Sequence, residues 1–82
     1  MSWHLTIEPA ALDEIAGFLK TDPVAVRVLI AAIDALEDGP NVTGSHPWGI
    51  SYRRLRHGPW RVLYRINDQE RTIHVEHIGF RH

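Results

Sequence analysis

The 82 residues carry a formal net charge of −1, with nine lysines and arginines against ten acids, and contain no cysteine. A chain this short builds one domain with one modest core, burying roughly 60% of the surface its unfolded form exposes, and leaves no room for a separate cofactor-binding unit. The lack of cysteine excludes a disulfide framework, a thiolate nucleophile and a thiolate metal site; no apolar run is long enough for a bilayer span, and Met1 to Leu5 lack the basic-then-apolar pattern of a secretion signal, so a cytoplasmic protein without membrane contact is expected.

Trp3 to Ile7 alternates apolar and polar residues and predicts a short first strand. Pro9 suits the first turn of a helix, where its missing N–H costs nothing. Leu12, Ile15, Ala16 and Leu19 then recur on one helical face, which predicts a helix over residues 9–20 with that stripe inward. Asp22-Pro23 ends this helix and starts another, Asp as N-cap and Pro as first residue. Val26, Leu29, Ile30, Ile33 and Leu36 carry a stripe on to Asp38, and Gly39-Pro40 stops it. So short a connection predicts an antiparallel helical hairpin.

Residues 40–49, rich in Pro, Gly, Asn and Ser, read as a loop. Three strand-like runs follow, over 50–56, 60–66 and 71–80, separated by turns at His57-Gly58-Pro59 and at Asn67 to Glu70. In the middle run Trp60, Val62, Tyr64 and Ile66 share one face, and Arg61, Leu63 and Arg65 the other. Alternation falters near Ile78-Gly79, where a bulge is expected. The result is one α+β domain over residues 1–82: a helical hairpin packed on a four-stranded antiparallel sheet, in the order β-α-α-β-β-β.

The charge is polarised along the chain. Residues 1–41 hold seven acids and two bases, and residues 42–82 hold three acids and seven bases, so the halves carry −5 and +4. Five of the six histidines also fall in the second half. Eight arginines against one lysine point to recognition rather than plain solubility, because the guanidinium is a planar fork that matches phosphate. An anionic partner on the sheet half is expected.

The densest signal is the run from Arg54 to Ile66: Arg54 and Arg56, the turn Gly58, then Trp60-Arg61-Val62-Leu63-Tyr64. Behind a helical hairpin and ahead of Gly79-Phe80-Arg81, this pattern of spaced bases, turn glycine, aromatic-Arg-x-x-Tyr and a late Gly-x-Arg resembles the RelE/ParE family of bacterial toxins over essentially the whole chain. That resemblance implies the toxin half of a toxin–antitoxin pair, with a cognate antitoxin as partner and DNA met only through the antitoxin. RelE-like members cleave messenger RNA on the ribosome, and ParE-like members poison DNA gyrase by contact without being nucleases. The favoured expectation is metal-independent RNA cleavage. Its alternatives are a ParE-like gyrase inhibitor and a weakened toxin acting only through its antitoxin.

For the nuclease, attack of a 2′-hydroxyl on its own phosphate builds negative charge that fixed arginines stabilise. The resemblance gives that role to Arg61 and Arg81, with Arg56 beside them. Arg53, Arg54, Arg65 and Tyr52 stand as RNA-binding candidates, and Trp48 as a base-stacking one. Without an RNA role, Arg61 would be a sheet-surface arginine paired with Asp68 or Glu76.

Two features depart from the family pattern. RelE-like enzymes carry a tyrosine a few residues beyond the Gly-x-Arg, whereas this sequence reads Arg81-His82 and stops. Arginine does not deprotonate, so His82 is the nearest candidate for proton transfer, with His57 and His77 behind it. The low net charge is the second departure; it predicts weak binding to free RNA, leaves ribosome-delivered cleavage open and makes a protein target more credible. No metal or other cofactor is expected: His74 and His77, three apart on a strand, would face opposite ways.

Overall fold

The computed structural model describes residues 2–81. Strand β1 (His4–Ile7) leads into helix α1 (Pro9–Thr21), then helix α2 (Pro23–Asp34), which tightens into a 3₁₀ turn over Ala35–Asp38. Four strands follow: β2 (Ser45–Pro47), β3 (Tyr52–His57), β4 (Trp60–Asn67) and β5 (Thr72–Phe80). They form one sheet in the order β1-β5-β4-β3-β2.

The helical hairpin arises as the sequence predicts. Asp22 serves both helices: its N–H donates to the Phe18 carbonyl, and its side chain accepts from the Ala25 N–H at 3.1 Å. Pro23 then opens α2. Leu29, Ile33 and Leu36 are fully or almost fully buried against the sheet. In α1 the inward stripe differs from the expected one. Ala11 is buried and Ile15 and Phe18 pack on the core, while Leu12 and Leu19 are each 51% exposed. Aromatic packing decides the rotation, since the Phe18 ring meets Trp60 edge-on at 5.0 Å and lies 6.2 Å from Phe80.

The sheet has five strands, not four, and is not wholly antiparallel. Ser45–Pro47, expected to be loop, pairs with β3 as an edge strand. Proline is tolerated there because an edge strand need not donate on its outer side, and three residues are too few for alternation to be read. Strand β1 runs parallel to β5, matching His4 with Thr72 through Ile7 with Val75. Beyond Val75 the chain has turned into α1, which takes over this edge of β5: Glu14 Oε1 accepts from the Ile78 N–H at 3.0 Å.

The bulge lies at Glu76 rather than at Ile78-Gly79. Leu63 pairs with His77 and Tyr64 with Val75, which leaves Glu76 as the extra residue. This explains how Val75 and Ile78, three apart, are both buried. It also reverses the expectation for His74 and His77, which register opposite Arg65 and Leu63 and so share the outer face.

The core lies between the hairpin and one sheet face, where Leu55, Trp60, Val62, Tyr64, Ile73, Val75 and Ile78 are buried. Its two polar tips are satisfied. Trp60 Nε1 donates to the Ala25 carbonyl at 3.1 Å, and the Tyr64 hydroxyl lies 2.6 Å from Ser45 Oγ and donates to the Pro40 carbonyl at 2.5 Å. Tyr64 therefore pins the loop after the helices, and with it the edge strand β2, to the centre of the sheet. The opposite sheet face carries Arg54, Arg56, Arg61 and Arg65.

Candidate functional site: an arginine cleft on the open sheet face

Alternation in β3 sends Leu55 into the core and Arg54 and Arg56 to the open face. In β4 it buries Val62 and turns Arg61 outward. Arg56 and Arg61 are direct cross-strand partners. Like charges placed so oppose pairing, and an anion bound between them would remove that cost. Across from Arg61 on β5 stands Gly79, which places no side chain in the way. Just past β5, the Arg81 N–H donates to the Pro59 carbonyl at 2.7 Å, tying the end of the chain to the β3–β4 turn.

These positions enclose an open cleft of about 460 Å³ lined by Arg54, Arg56, Arg61 and Arg81 with His46, Trp48, Gly58 and Pro59. Arg54 lies over the Trp48 ring, 4.4 Å from its centroid. His46 meets the same ring edge-on at 5.8 Å. Arg61 Nη1 donates to the Gly58 and Trp60 carbonyls at 2.8 and 2.9 Å, which fixes the guanidinium over the turn. The Arg61 guanidinium is lowered from its usual value by partial loss of water and then by its neighbours Arg56, Arg81 and Arg54. It stays cationic, as arginine does in proteins.

Among the described residues no carboxylate neutralises this group. Among the described residues the ion pairs are Arg65–Glu76, His74–Glu8 and His77–Glu14, and none touches the four cleft arginines. Arg61 therefore pairs with neither Asp68 nor Glu76. The arrangement is a cluster of cations, unpaired among the described residues, beside an exposed indole, suited to a phosphate with a base stacked alongside.

The other candidates stand apart. Arg65 Nε binds Glu76 Oε2 at 3.0 Å, and the Tyr52 hydroxyl points to the same carboxylate at 3.4 and 3.5 Å. Both lie on the open face outside the arginine cleft. Arg53 faces the helix side and holds β2, Nε donating to Ser45 Oγ at 2.7 Å and Nη2 to the Ser45 carbonyl at 3.1 Å. His57 registers opposite Trp60, on the helix-side face. His82 lies outside the described residues. His46 went unnoticed in the sequence because residues 45–47 look like loop; its pairing with Arg54 brings it to the cleft. Trp60 and Tyr64 belong to the core. No cluster of three metal-ligating side chains occurs among the described residues, nor any helix long and apolar enough to cross a membrane.

Comparison with known proteins agrees with this architecture. No curated protein matches the sequence. Among solved structures, a chain of the toxin–antitoxin complex RelBE2 from Mycobacterium tuberculosis superposes with a TM-score of 0.82 at 18% identity, covering 99% of this chain and 100% of that one. The isolated E. coli RelE toxin gives a TM-score of 0.78 at 16% identity, over 98% of this chain and 85% of its own. The YoeB/ParE toxin from Agrobacterium tumefaciens gives 0.77 at 20% identity, over 96% and 99%. At these identities the likeness is one of fold. The family model described as the ParE toxin of the type II toxin–antitoxin system parDE matches residues 7–82. The fold, the arginine-bearing sheet and this match together show that the chain belongs to the ParE toxin family of type II toxin–antitoxin systems.

Proposed function

We propose that this toxin cleaves messenger RNA, by attack of a 2′-hydroxyl on the adjacent phosphate, with the arginine cleft as its active site. The observation that carries the reading is the convergence of Arg54, Arg56, Arg61 and Arg81 on one cleft beside Trp48, with no carboxylate partner among the described residues. Four cations held together unpaired are costly for a free protein and favourable only when an anion arrives. As the phosphoryl group gains charge, its hydrogen bonds to fixed guanidinium groups strengthen, which lowers the barrier. Trp48 and the planar face of Arg54 offer a base a stacking surface. The ribosome supplies the RNA in place, which suits a protein whose overall charge is −1. A cognate antitoxin is the natural regulator: several solved relatives are toxin–antitoxin complexes, and an acidic or mixed-charge segment would satisfy the cleft.

The test is Arg61→Ala and Arg61→Lys in a programmed-ribosome cleavage assay, with melting temperature measured alongside. Arg61 points away from the core, so the fold survives. Loss of one such donor slows cutting by a factor of roughly 10²–10³, and lysine restores only part because it keeps the charge and loses the fork. A well-folded Arg61→Ala protein that cuts at the wild-type rate refutes the assignment. The family model carries the ParE name, which attaches a second reading: contact with DNA gyrase without RNA cleavage. In that case wild-type protein leaves the messages whole.

A further inference from the structure

Arginines hold charge but do not take a proton, and the proposed reaction needs a group that removes one from the 2′-hydroxyl. We infer that His77, held by Glu14 of α1, is that general base. The inference rests on the nuclease reading of the cleft.

His77 reaches the site because of the bulge. With Glu76 looped out, His77 registers opposite Leu63, two residues along β4 from Arg61, and shares the open face with it. The Cα atoms of diagonal neighbours of this kind lie about 7–8 Å apart. Between His77 and Arg61 stand Gly79, which adds no side chain, and Leu63 on β4. Arg54, Arg61, Trp48, Leu63, His77 and Glu14 line a single continuation of the arginine cleft.

The second half of the pair comes from the helix. His77 Nδ1 lies 3.5 Å from Glu14 Oε1, and the same oxygen accepts the Ile78 N–H at 3.0 Å. Anchored by the Ile78 N–H, Glu14 places its carboxylate on the Nδ1 side of the ring and leaves the Nε2 side open to substrate. The imidazole is 61% exposed, so substrate can reach it. Glu8, Glu76 and Arg65 line the other side of His77, and Arg54 and Arg61 the cleft side. His46 also lines the cleft but pairs with no carboxylate among the described residues.

In the proposed step the 2′-oxygen bonds to phosphorus as its proton passes to His77 Nε2. The bond from phosphorus to the 5′-oxygen breaks, and that oxygen takes a proton from water. The products are a 2′,3′-cyclic phosphate and a 5′-hydroxyl. His77 then returns its proton to solvent. Glu14 acts through His77, as a positioning residue that stabilises the imidazolium while it exists.

The experiment is single-turnover cleavage of ribosome-bound message by wild type, His77→Ala, Glu14→Gln and Arg61→Ala, with and without added imidazole. His77→Ala is expected to cut about 10²-fold more slowly, within the usual range for a lost general base. Free imidazole should restore at least tenfold of this, which no structural role of the side chain would allow. Glu14→Gln keeps an acceptor for the Ile78 N–H and is expected to lose about tenfold, since the amide cannot offset the imidazolium charge. Arg61-dependent cutting that persists at the wild-type rate in His77→Ala, or that imidazole fails to rescue, overturns the His77 assignment alone. Failure of the wild-type protein to cut overturns the nuclease reading and the pair with it.

Discussion

The Tyr64 hydroxyl sits at a junction whose loss should be measurable. The ring is fully buried, and the hydroxyl meets Ser45 Oγ at 2.6 Å and the Pro40 carbonyl at 2.5 Å. Ser45 Oγ in turn accepts from Arg53 Nε at 2.7 Å. Tyr64→Phe keeps the ring in place and removes only the oxygen. It forfeits the hydroxyl's contacts to Ser45 Oγ and to the Pro40 carbonyl, which keeps only the longer bond from Ser45 Oγ at 3.3 Å, a loss of about 2 kcal/mol. A domain of this length has roughly 4–12 kcal/mol of stability in all, so the melting temperature should fall by about 8–16 °C. The assay is thermal and urea unfolding of wild type, Tyr64→Phe, Ser45→Ala and the double variant. The two single changes break the same contact, so the double should cost less than their sum by about 1 kcal/mol. A Tyr64→Phe protein melting within about 2 °C of wild type, or strict additivity in the cycle, would refute the account of Tyr64 as the anchor of β2.

Two further outcomes follow from burial and orientation. Leu29→Ala in the core should cost about 2–5 kcal/mol in urea unfolding, whereas Val24→Ala, at a site 69% exposed, should stay within about 0.5 kcal/mol. Adjacent arginines should behave oppositely: Arg53→Ala lowers the melting temperature and spares cutting by a ribosome-bound assay, while Arg54→Ala leaves the fold intact, weakens RNA binding and reduces the salt dependence of that binding by about one charge.

Much of the fold was legible in the residues. Asp22-Pro23 marked the junction of the helices because one side chain can cap while a proline begins a helix, and both preferences are local. The alternation Trp60, Val62, Tyr64 marked the core face of β4 for the same reason, and so placed Arg61 on the other side before any packing was known. The motif linking Arg54, Arg56, Arg61 and Arg81 brought the family resemblance with it.

Other features were decided only by the folded chain. Whether Leu12 or Phe18 faces inward depends on which neighbours await it, and Trp60 and Phe80 lie far away in sequence. The edge strand Ser45–Pro47 exists because β3 offers it unpaired backbone groups, which no count of turn-forming residues reveals. Arg53 and Arg54 look equivalent in sequence, yet one ties down β2 and the other opens onto the cleft, because neighbours on a strand face opposite ways. The bulge at Glu76 has the widest effect: it puts His77 beside Leu63 on the outer face and lets Glu14 reach it from 63 positions earlier in the chain. Local sequence determines helix ends and strand faces through backbone preference and period. Register and the pairing of distant side chains depend on the relative placement of whole elements, which only the assembled sheet and hairpin supply.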